Sequence, residues 1–134
     1  MALRWYSVVV DARDVPAQAR WWCEALGWQI GYEAPDEVVI VPGWWSEQEH
    51  AATPWERQAI GWVFVPVGEG KTVKNRLHLD LAPHTGDDQT AEVERLVSLG
   101  ATRVNVGQDQ STVSWVVLAD PEGNEFCVLS ARED

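Results

Sequence analysis

The chain repeats itself, and that constrains its fold more than anything else in it. Tyr6-Ser7-Val8-Val9-Val10-Asp11 stands to Ala25-Leu26-Gly27 as Leu77-His78-Leu79-Asp80-Leu81 stands to Ser98-Leu99-Gly100. Each half reads as a strand, a helix ending in Leu-Gly, and then three strands. The sequence therefore predicts an α+β fold of two βαβββ modules, residues 1–67 and 74–134. It also predicts one sheet with pseudo-two-fold symmetry, in which equivalent residues of the two copies converge on a common centre.

The local signals within each half agree with this pattern. In the first half, the β-branched run Val8-Val9-Val10 marks a strand over 5–11. Asp14 is an N-cap and Pro16 fits a first helical turn. Ala19, Trp22, Cys23 and Leu26 recur at helical spacing, and Gly27 supplies the C-cap. Segments 28–32 and 37–41 read as strands around the turn Ala34-Pro35-Asp36. Segment 42–58 reads as a loop with one short helical turn, and 60–67 as a strand.

In the second half, residues 76–81 alternate without a break. Leu77, Leu79 and Leu81 form one face; Arg76, His78 and Asp80 form the other. Asp87 or Asp88 caps a helix whose apolar stripe is Val93, Leu96 and Val97, and Gly100 ends it. Segments 101–106, 112–118 and 125–129 read as strands. Asp120 to Asn124 reads as a tight turn that needs Gly123 at positive φ.

Composition narrows the range of functions. A formal net charge of -11 and a pI of about 4.5 repel phosphate backbones and anionic lipid, which argues against nucleic-acid and membrane-surface partners. No apolar run approaches membrane-spanning length, and the expected compartment is the cytoplasm. Cys23 and Cys127 form no CxxC pair and indicate no disulfide framework. The nine tryptophans exceed what a core of this size needs, so some are expected to line a pocket or a subunit interface.

The polar face of residues 76–81 is the chemically informative one. A cation, an imidazole and a carboxylate on one strand face are costly to bury unless they pair or line a wet cleft. An imidazole changes charge near neutral pH, so His78 is the natural acid–base group. Two-residue spacing along a strand separates adjacent side chains by roughly 6.5–7 Å, which makes Arg76, His78 and Asp80 neighbours across a pocket and no tight dyad. No Ser-His-Asp, phosphate-loop or dinucleotide signature accompanies them.

The repeat, the stretch Lys74-Asn75-Arg76-Leu77-His78-Leu79-Asp80-Leu81 and the stretch Asp120-Pro121-Glu122-Gly123-Asn124-Glu125-Phe126-Cys127-Val128-Leu129 together resemble the vicinal oxygen chelate superfamily. Within it they are most similar to bacterial glyoxalase-like domain proteins of the glyoxalase/bleomycin resistance/dioxygenase type. The resemblance covers essentially the whole chain and implies a single domain over 1–134: a cup-shaped, mixed eight-stranded sheet with helices outside. Metal-dependent members of the superfamily hold a divalent ion in the cup with His, Glu or Gln from the first and last strands of each module. His78 matches the first-strand ligand of module two, and Ser7 is its equivalent in module one. The last-strand Glu falls on Cys127 in module two, and near Phe64 or Val65 in module one.

With so reduced a ligand set, the expected function is metal-free and cofactor-free binding of a small, partly aromatic organic molecule in a Trp-lined cup. The expected ligand-binding residues are Ser7, Arg76, His78, Asp80, Glu125 and Cys127, with His78 as the catalytic group if there is one. The alternative is an enzyme, either a lyase or isomerase using His78 as base, or a form holding one divalent metal ion on His78 and Cys127 with help from Glu125. A third reading is a partner module whose cup has lost its chemistry. The resemblance and the surplus of Trp both imply a homodimer.

Overall fold

The computed structural model describes residues 2–109 and 111–134. The chain divides after Gly70 into two compact units. The first contains β1 (Ser7–Ala12), α1 (Val15–Leu26), β2 (Gln29–Ala34), β3 (Glu37–Val41), α2 (Glu47–Ala52) and β4 (Gly61–Pro66). Its four-stranded sheet has the order β1-β4-β3-β2, with β1 parallel to β4 and the other pairs antiparallel. The second contains β5 (Leu79–Leu81), α3 (Gln89–Leu99), β6 (Thr102–Arg103), β7 (Val116–Ala119) and β8 (Glu125–Val128). Its order is β5-β8-β7-β6, again with one parallel pair, β5 with β8. The two orders correspond strand for strand, so the chain is two βαβββ modules of an α+β fold, each with its own four-stranded sheet.

In the first unit, α1 forms where the sequence predicts it. Asp14 accepts a hydrogen bond from the Ala17 backbone N–H at 3.2 Å, and Gly27 closes the helix at φ 66°. Its buried face presents Trp21 and Trp22, and alternate residues of β3 and β4 (Val38, Ile40, Trp62, Phe64) are buried with them. Trp22 and Trp62 meet with ring centroids 4.9 Å apart, and Trp28 packs on Trp62 at 5.8 Å. A good share of the tryptophan surplus is thus core. Trp5, Trp44 and Trp55 remain exposed.

Within segment 42–58 there is more helix than one turn. Ser46 accepts from the Glu49 N–H at 3.2 Å and starts α2, and a 3-10 turn follows at Trp55–Arg57. Ser46-Glu47-Gln48-Glu49 has the spacing of a capping box, a signal that was present in the sequence.

The second unit departs from expectation at its strands. The strand predicted over 76–81 shrinks to Leu79–Leu81, and Leu77 is 89% exposed, so Leu77 is no part of the core face. The cause lies upstream. The Asn75 N–H donates to the Glu125 carboxylate at 3.3 Å, and the Asn75 side chain donates to the Glu125 carbonyl at 3.1 Å. These bonds take the place of ladder bonds, and pairing with β8 begins only at Leu79↔Phe126. The strand over 101–106 is reduced to Thr102–Arg103, and the strand over 112–118 becomes Val116–Ala119. Asn105 bonds the Gly107 N–H at 2.8 Å, and Asp109 bonds the Ser111 N–H at 2.9 Å, so local turns displace the ladder here too. Val97, placed on the apolar stripe of α3, is 39% exposed; Val93 and Leu96 carry the burial. Among the described residues, no helix is long and apolar enough to cross a membrane.

Candidate functional site

The parallel pairing of β5 and β8 sets Asp80 beside Cys127. His78 lies just before β5, and its Nε2 is 3.3 Å from Asp80 Oδ1. The spacing expected for a regular strand does not hold, because His78 is outside the ladder and its side chain folds back onto Asp80. One donor atom from each of His78, Asp80 and Cys127 lies within 4.8 Å of the other two.

These three side chains open on a cavity of about 320 Å³ within the second unit. Val106, Val117, Phe126 and Leu129 give it an apolar wall, and Trp115 adds an indole ring. Trp115 Nε1 donates to Gln108 Oε1 at 2.8 Å, which fixes the ring. An adjoining groove of about 480 Å³ shares Val106, Gln108 and Val117 and continues to Arg103 and Asn105.

Cys127 is buried. Burial pushes its thiol pKa above the ordinary 9.0, the Asp80 charge and a hydrogen bond to Asp80 push it further, and Lys74 opposes. The group is a neutral thiol at physiological pH. Glu125 lies two residues away and also lines the cavity. Burial alone would raise its carboxyl pKa. Hydrogen bonds from Lys71 and from backbone N–H groups, with the Lys71 charge, outweigh burial and hold it below the ordinary 4.5. Lys71 Nζ is 2.8 Å from Glu125 Oε2, and both side chains are largely shielded from solvent.

The sequence-derived residues therefore separate. His78, Asp80, Glu125 and Cys127 line one cavity. Arg76 sits exposed in the bend before β5 and is not on the cavity wall. Ser7 is half-buried on β1 in the other unit, paired with Gly61. The third donor beside His78 and Cys127 is Asp80; Glu125, expected in that role, is held by Lys71. The module-one counterpart of Cys127 also needs correction. If Ser7 matches His78, Val9 matches Asp80, and Val9 pairs with Val63 as Asp80 pairs with Cys127. The counterpart is Val63; Phe64 points into the core at 0% exposure.

Asp120 is 3% exposed and accepts from the Glu122 and Asn124 N–H groups at 2.9 and 3.0 Å, and Gly123 has φ 92°. The Asp120–Asn124 stretch is the tight turn read from the sequence. Lys74, Gln108 and Trp115 are cavity residues that sequence reasoning did not single out. A signal existed for Lys74: in a strongly acidic chain, Lys71, Lys74 and Arg76 crowd into one short stretch.

The glyoxalase-like domain family model matches residues 7–129. The chain belongs to the glyoxalase-like domain family. Solved structures share the fold of this glyoxalase-like domain. A glyoxalase/bleomycin resistance protein/dioxygenase family enzyme from Burkholderia phytofirmans PsJN superposes with TM-score 0.68 at 17% identity, over 97% of this chain and 100% of that one. A mutant fosfomycin resistance protein FosX from Listeria monocytogenes, complexed with Mn(II) and a dihydroxypropylphosphonic acid, superposes with TM-score 0.68 at 10% identity, over 98% and 93%. A glyoxalase-related enzyme from Fulvimarina pelagi gives 0.59 at 16% identity, over 94% and 88%. At such identities the likeness is one of fold. Among curated proteins, no sequence matches this chain.

Proposed function

We propose that this glyoxalase-like domain binds a small, partly aromatic organic molecule in the cavity of its second unit, without a metal ion. The observation that carries the reading is the indole of Trp115, pinned by Gln108 on the wall of a cavity that also holds His78, Asp80 and Cys127. A volume of about 320 Å³ is at the small end for ligand sites and fits one or two rings. The metal-free part rests on donor chemistry. Asp80 already faces the His78 ring and accepts from the Cys127 thiol, and that thiol holds its proton. If the bound molecule is also transformed, His78 oriented by Asp80 is the base of a lyase or isomerase step.

A second reading has an observation of its own, the His78–Asp80–Cys127 cluster with its donors within 4.8 Å. These residues would hold one divalent ion once the thiol is deprotonated. An imidazole, a carboxylate and a thiolate suit Zn²⁺ better than Mn²⁺, and the ion would supply Lewis-acid polarisation of a ligand oxygen.

The test is an NMR titration with one- and two-ring aromatic compounds, run beside thermal melting with Zn²⁺ or Mn²⁺. The Trp115 indole N–H is expected to shift, and His78→Ala is expected to weaken binding about tenfold with little loss of melting temperature. Ligand shifts that avoid Trp115 refute the cavity reading. A melting gain of several degrees with Zn²⁺, abolished in Cys127→Ser, replaces it with the metal-dependent one.

We also propose a homodimer. It is supported by exposed aromatic residues of the first unit: Trp5 (65%), Tyr6 (69%) and Trp44 (68%). Light scattering at high micromolar concentration is expected to give twice the 15.0 kDa chain mass, and a monomer mass refutes it.

A further inference from the structure

Building on the reading of this cavity as a ligand site, we infer that its occupant is an organic carboxylate on a flat apolar body, with Lys74 as the residue that selects it. Matching donors to acceptors on the wall leads there. Each acidic or amide side chain on the wall already has a donor partner. Asp80 lies 3.3 Å from His78 Nε2 and accepts from Cys127. Glu125 Oε2 accepts from Lys71 at 2.8 Å and from the Asn75 N–H at 3.3 Å. Gln108 Oε1 accepts from Trp115 at 2.8 Å.

Two donor groups on the wall are unmatched. Among the described residues, neither the Lys74 ammonium nor the Gln108 amide nitrogen has a hydrogen-bonding or ion-pairing partner, and both residues line the cavity. With Nε2 turned to Asp80, His78 Nδ1 joins the second carboxylate oxygens of Asp80 and Glu125 as a place for a hydroxyl or N–H elsewhere on the ligand. A wall with spare ammonium and amide donors is matched by an acceptor-rich, negatively charged group.

Charge and anchoring point the same way. The chain has ten Lys and Arg against twenty-one Asp and Glu, yet Lys71, Lys74 and Arg76 fall within six residues. Glu125 neutralises Lys71, and Arg76 is off the wall, which leaves Lys74 as the cavity's unpaired cation among the described residues. Lys71 and Asn75, on either side of Lys74, are both tied to Glu125. The backbone that carries Lys74 is therefore held in place before a ligand arrives, which lowers the ordering cost of binding. Lys74 lies near enough to Cys127 for its charge to pull that thiol's pKa down, against the larger effects of burial and the Asp80 charge. Trp115, Val106, Val117 and Leu129 supply the surface for the flat body.

The test uses matched pairs that differ only in charge: benzoate against benzamide, and 2-naphthoate against 2-naphthamide. Affinities are read from the Trp115 indole N–H signal, assigned with Trp115→Phe. The acids are expected to bind about five- to tenfold tighter than the amides at low salt, with the gap closing as salt rises. In Lys74→Gln, whose side chain is exposed and whose melting temperature serves as the folding control, the acids are expected to fall to the affinity of the amides, and the amides to stay where they were. Amides that bind as well as acids, or a preference that survives Lys74→Gln, overturn the inference and leave the cavity reading intact. If neither member of either pair moves Trp115 at millimolar concentration, both fall.

Discussion

Phe126→Ala is expected to destabilise the protein by about 3–5 kcal/mol, because truncating a buried aromatic loses its transfer energy and leaves a void. Phe126 is 1% exposed, pairs with Leu79 on one side and Leu118 on the other, and anchors an inner strand of the second sheet. Leu77→Ala is the contrasting variant. Alternation alone would put Leu77 in the same core, but at 89% exposure its truncation is expected to change stability by no more than about 0.5 kcal/mol. Urea unfolding of both variants decides the matter. Equal losses would return Leu77 to the core and lengthen β5 to the extent first read from the sequence.

Glu125→Gln is expected to cost about 2–3 kcal/mol at neutral pH, since it leaves the shielded Lys71 ammonium without its counter-charge. The loss should depend on pH in a definite sense. The folded state holds the Glu125 carboxyl below its ordinary value of 4.5. Above pH 4.5 the carboxylate is ionised in both states and the stabilisation is complete. As pH falls below 4.5 the unfolded chain takes up the proton first, and the stabilisation is lost as pH passes through the lowered folded value. The gap between parent and Glu125→Gln should therefore narrow on acidification. Denaturant unfolding at pH 7 and pH 3 measures it, and a gap that does not change with pH would rule out the Lys71 pair as its source. The same variant loosens the segment that carries Lys74, so the acid-over-amide preference should shrink in it as well.

What the sequence determined by itself is the duplication and the fold it implies. The Leu-Gly helix ends and the Asp14 cap act within a few residues, and the structure keeps them: Asp14 accepts from the Ala17 N–H, Gly27 and Gly100 have positive φ, and the two strand orders correspond as the duplication implies. The site was legible in part. Asp80 and Cys127 could be singled out because β5 and β8 carry them in short, regular elements, and His78 because it directly precedes β5. The tertiary structure decided the rest. Contacts across fifty residues set which acid joins His78 and Cys127, since Lys71 and Asn75 occupy Glu125 and leave Asp80 as the third donor. The same contacts delay the start of β5 to Leu79 and turn Leu77 into solvent. Lys74, Gln108 and Trp115 come to the wall from irregular backbone, where side-chain-to-backbone bonds replace periodic pairing. Periodicity reports which face of a strand or helix a residue occupies. It does not report which distant polar group will capture a backbone N–H, and in this protein that competition shapes the site.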